Sequence, residues 1–79
     1  MSTEKERVVS SFAEMIRVKR TETRMSLREV ASLAGISHVH VRDIELGKKE
    51  PTLTIALRLC EILELNINDL FEAVKTPQP

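Results

Sequence analysis

The sequence predicts an all-α fold, a compact bundle of five helices, and three observations predict it. Residues suited to cap a helix (Ser26, Ser37, Thr52 and Asn66) each precede a short segment whose apolar side chains recur three and four positions apart. Gly35, Gly47 and Pro51 stand where such segments must stop. The composition is 42% hydrophobic with no Trp or Tyr and only 2 Phe, so any core must be aliphatic. A chain of 79 residues makes one domain, near the low end of what a single core stabilises alone.

In chain order, residues 1–5 are polar and expected to be a flexible N-terminus, and the folded domain should span 6–75. The first helix is expected from near Glu6 to Thr23. Val9, Phe12 and Ile16, with Val8 and Met15 beside them, trace a one-sided apolar stripe. Arg17, Lys19 and Arg20 crowd its last turns, the end that favours cations. Ser26 then opens a second helix with a capping box, because Glu29 lies three residues on, and Val30, Ala31 and either Leu33 or Ala34 supply its buried face. Gly35 falls where the chain leaves that helix. Ser37 caps a third, with Val41 and Ile44 inward, and Gly47 ends it.

Thr52 caps a fourth helix from Leu53 to about Glu64. Its apolar residues sweep about 220° of arc, about twice what one buried stripe needs. Asn66 and Asp69 mark the start of a fifth, whose apolar side is Ile67, Leu70, Phe71 and Val74. Five helices in so small a domain cannot enclose all of this surface, so a homodimer is expected. Residues 76–79, Thr-Pro-Gln-Pro, cannot be helical and are expected to form a disordered tail.

The net charge is zero, but the charges are segregated. Residues 17–49 hold eight basic and four acidic side chains, or +4, and residues 50–79 hold two basic and five acidic, or −3. A positive face against phosphate and an acidic far side are the expected arrangement. One cysteine rules out an internal disulfide and fits a reducing compartment. No apolar run approaches a membrane span of about 20 residues, and no secretory signal pattern is present. A cytoplasmic domain without membrane contact is expected.

Two short helices joined at Gly35 make a helix-turn-helix. The run resembles the phage-repressor (Cro/CI, Xre) family of DNA-binding domains, with similarity from about Phe12 to Phe71. The matching residues are Ile16, Arg17, Arg20, Ser26, Glu29, Ala31, Gly35-Ile36-Ser37, Val41, Ile44-Glu45, Gly47, Pro51 and Leu70-Phe71. Three positions depart: Arg24 and Glu64 stand where the family often has Gly, and Leu27 where relatives have a phosphate-fixing Gln. The resemblance implies a lambda-repressor-like fold binding double-stranded DNA. It also implies a partly buried ion pair between Arg20 and Glu45, structural in role.

With Val41 inward, Val39, Arg42, Asp43 and Leu46 face outward and His38 and His40 lie on the flanks. Side chains near the start of this helix reach base edges in the motif, so Ser37, His38, Val39, Arg42 and Asp43 are the candidate readers. Arg42 suits guanine and Val39 a thymine methyl, while Asp43 suits only a cytosine amino group or else an intrahelical or solvated position. Phosphate contacts are expected from Arg28, His40, Lys48 and Lys49. The rings of His38 and His40 lie about 200° apart on a helix and cannot share one metal ion. Neither a Gly-rich phosphate loop nor a nucleophile with its base is present. Hence no catalysis, cofactor, metal or small-molecule ligand is expected.

Two function classes follow. One is a transcriptional regulator, a repressor by preference, that binds a two-fold symmetric operator as a homodimer through Leu65, Ile67, Leu70 and Phe71. The other is an interaction module, such as an antitoxin or the DNA-binding adaptor of a larger regulator, whose last two helices meet a different chain.

Overall fold

A computed structural model describes residues 3–75 as five helices: α1 (Glu4–Glu22), α2 (Leu27–Ala34), α3 (His38–Glu45), α4 (Leu53–Ile62) and α5 (Ile67–Lys75). The tail expected at 76–79 and the first two residues lie outside the described range.

α1 starts two residues before the expected position. Thr3 and Glu6 form a capping box: the Thr3 amide donates to Glu6 Oε1 (2.7 Å) and the Glu6 amide to Thr3 Oγ1 (3.1 Å). Thr3 to Lys5 are therefore part of the helix start, not a frayed end. The same bonds, led by the one to the Thr3 backbone, hold the Glu6 carboxyl below its ordinary range. α2 repeats the device with Ser26 and Glu29, at 2.7 and 3.0 Å. Changing Ser26 to Ala should lower stability by about 1 kcal/mol, read as a melting point roughly 4–8 °C lower.

α2 ends on Gly35 at φ +74°, where the amide of Ile36 donates back to the Ala31 carbonyl (3.1 Å). Two other turns use the same left-handed conformation without glycine: Arg24 at φ +59° and Glu64 at φ +54°. These are two of the positions where the resembled family often has Gly. An L-residue there costs on the order of 1 kcal/mol. The turn at Glu64 also ends α4 at Ile62, slightly short of the expected limit.

The core is aliphatic apart from Phe12. Ile16, Val30, Val41, Ile44 and Leu59 are the largest side chains fully shielded from solvent, each contributing about 1.5–3 kcal/mol by its burial. α2 packs against both α3 and α4, and α1 packs against α3 and α5. Of the two alternatives on α2, Ala34 is the buried one and Leu33 is exposed. The small side chain leaves the end of α2 open to α4, whose Arg58 Nη1 donates to the Ala34 carbonyl at 3.3 Å.

α5 is the least embedded element. None of its residues is fully buried. Leu70 packs against the core from its margin, and the Arg7 guanidinium of α1 donates to the Val74 carbonyl near the helix end. The wide apolar arc of α4 remains partly uncovered, with Leu53 and Leu57 both exposed.

Candidate nucleic-acid interface

The site is built on α3, and its position is fixed from inside. Val41 and Ile44 anchor the helix in the core. At its last residue, Glu45 accepts two bonds from Arg20 of α1: Nε to Oε2 at 2.6 Å and Nη2 to Oε1 at 3.0 Å. The two side chains are 19% and 7% exposed, so the pair is shielded. Arg20 Nη1 also donates to the Met25 carbonyl (2.9 Å), which ties the turn before α2 into the same joint. The bond to Glu45 outweighs burial and raises the Arg20 pKa above its already high ordinary value, so Arg20 stays charged.

With that face fixed, the opposite one is presented to solvent. Val39, Arg42 and Leu46 are exposed, and His38, His40 and Asp43 are half-buried. Ser37 is committed to the helix: its Oγ accepts the His40 amide at 3.0 Å, leaving its hydroxyl proton and one lone pair to offer a partner. The amides of His38 and Val39, in the first turn, have no acceptor within the helix. Neither Arg42 nor Asp43 forms a side-chain hydrogen bond or ion pair among the described residues, so Asp43 lacks the intrahelical partner considered for it.

The candidate phosphate contacts lie on either side. Arg28 sits exposed in the first turn of α2, beside the Ser26 cap. Lys48 and Lys49 follow Gly47, which takes φ +74°, and both donate their backbone amides to the Asp43 carbonyl, at 2.9 and 3.3 Å. That fold of the loop holds two exposed ammonium groups at the end of α3. Arg24 is also exposed and has no side-chain partner among the described residues.

The four residues expected at an interface between copies separate into two kinds. Ile67 and Phe71, 50% and 64% exposed, face solvent one turn apart on α5. Together with Val8, Leu70 and Val74 they line an apolar groove edged by Glu4 and Lys75. Leu65 and Leu70, by contrast, pack against the monomer's own core. Leu65 lies beside Met15 and Val18 of α1, away from the groove. Phe71 lies outside the monomer's core because only one side of α5 rests on α1. Its ring meets Lys75 instead, with Nζ 5.4 Å from the ring centre.

No cluster of three His, Cys, Asp or Glu side chains suited to a metal occurs among the described residues. No helix there is long and apolar enough to cross a membrane.

A family model described as "Helix-turn-helix" matches residues 12–70, one residue short of the span over which the resemblance is read. The crystal structure of the clp gene regulator ClgR from Corynebacterium glutamicum is similar in fold, with a TM-score of 0.76 at 21% identity. The match covers 85% of this chain and 71% of that one. No curated protein sequence matches.

Proposed function

The chain belongs to the helix-turn-helix family of DNA-binding regulators, and from that premise we propose that it is a cytoplasmic repressor that binds a two-fold symmetric operator as a homodimer. The observation that carries this reading is the pairing of two uncovered surfaces. α3 presents Val39, Arg42 and Asp43 without partners, and α5 presents Ile67 and Phe71. The first suits base edges in a major groove, flanked by Arg28, His40, Lys48 and Lys49 for the phosphates. The second suits a copy of itself.

Two reading helices must enter successive major grooves, about 34 Å apart along one face of DNA. An axis through α5 keeps the interface off the reading face and so permits that spacing. Sedimentation or gel filtration separates this from the adaptor reading, which expects a monomer that dimerises only with a different chain.

Binding should depend steeply on salt. If each subunit neutralises about four phosphates, the dimer releases counterions from about eight, for a log–log slope near −7. Changing Lys48 and Lys49 together to Ala should remove about four of these contacts per dimer and flatten the slope to roughly −3 to −4 on every duplex. Titration at four or five salt concentrations checks this, and an unchanged slope would take the loop out of the contact surface.

A further inference from the structure

Asp43 is the anomaly of the reading face. It is half-buried, yet its carboxylate has no hydrogen bond or ion pair among the described residues. The other acids without a side-chain partner among the described residues, Glu4, Glu22, Glu61, Glu64 and Asp69, are all exposed, and the other half-buried acid, Glu45, holds Arg20. Arg42 is next in sequence, but consecutive helical residues do not face each other. Lys48 and Lys49 reach Asp43 only through backbone amides bonded to its carbonyl. The carboxylate therefore holds no part of the fold by a hydrogen bond or ion pair.

On a surface that approaches phosphates, an unpartnered negative charge is repulsive. One group in the major groove reverses that sign. Guanine offers acceptors at N7 and O6, and thymine an acceptor at O4. Adenine places its N6 amino donor beside the N7 acceptor, which repels the second carboxylate oxygen. Only cytosine presents an N4 amino donor with no acceptor of its own in the groove. We infer that Asp43 is a specificity-determining residue that selects cytosine in each half-site and disfavours duplexes lacking it. This rests on α3 being the base-reading helix.

The test is selection of bound duplexes from a random pool by the full chain, by Asp43→Ala and by Asp43→Asn, with melting curves as the folding control. The wild type should fix a cytosine at one symmetric position of each half-site. Asp43→Ala should relax that position alone, losing roughly ten- to hundredfold discrimination there. It should also bind duplexes lacking the motif more tightly than wild type, because two negative charges per dimer have gone. Asp43→Asn should move the preference to adenine, whose N6 and N7 an amide matches in pairs. If all three proteins fix the same bases, the inference fails while base reading by α3 stands. If the wild type enriches no duplex at all, the premise fails.

Discussion

Replacing Arg20 with Ala should lower stability by about 3–5 kcal/mol, because Glu45, whose side chain is only 7% exposed in the intact pair, would lose the cation that meets it. For a domain of this size that is a melting point lower by roughly 15 °C or more. Loss of DNA binding should follow only as the protein unfolds. A calorimetric melt with binding measured well below the transition tests the order of events. Removing both charges with apolar side chains of similar volume, Arg20→Met with Glu45→Leu, should recover most of the loss, since a shielded pair adds little over well-packed apolar groups. Retained melting with abolished binding would mean that Arg20 touches DNA directly.

The second large effect concerns assembly. Ile67→Glu and Phe71→Glu should each give a folded monomer, because both side chains are at least half exposed and neither supports the core. In an isologous interface a charge near the axis meets its own copy, so one substitution acts twice. Operator affinity should fall by about 10²–10⁴-fold, the advantage that joining two half-site contacts confers. Leu65→Glu and Leu70→Glu are the contrasting pair, expected to unfold the domain because both positions pack on the core. If Ile67→Glu and Phe71→Glu both stay dimeric at micromolar concentration, the interface lies elsewhere, with α1 the next surface to test.

Much of this architecture was legible because it is local. Ser26, Ser37 and Thr52 cap helices through bonds three residues long, and Gly35 and Gly47 end helices by a conformation that glycine favours. The Thr3–Glu6 box obeys the same rule and was equally available, hidden only by the polar run around it. Arg24 and Glu64 were legible as turns only through resemblance, since neither residue type signals positive φ. Long-range choices were not legible at all. Periodicity allows Leu33 or Ala34 on α2, and the packing of α2 against α3 and α4, which covers Ala34, decides it. The roll of α5, which exposes Phe71 and covers Leu70, is set by where α1 lies and by Arg7, 67 positions from Val74. Nothing within nine residues encodes that.

Helix α1 is clamped at two places: Arg7 grips the end of α5, and Arg20 grips the end of α3. Thirteen residues separate the clamps, about 20 Å of helix. In a dimer joined through α5, each reading head would sit at a fixed offset from the seam, with no hinge to adjust it. Mismatch between that offset and the pitch of the grooves would then fall on the DNA, by bending or twisting. Base pairs between the half-sites, touched by no side chain, would be sorted by their stiffness.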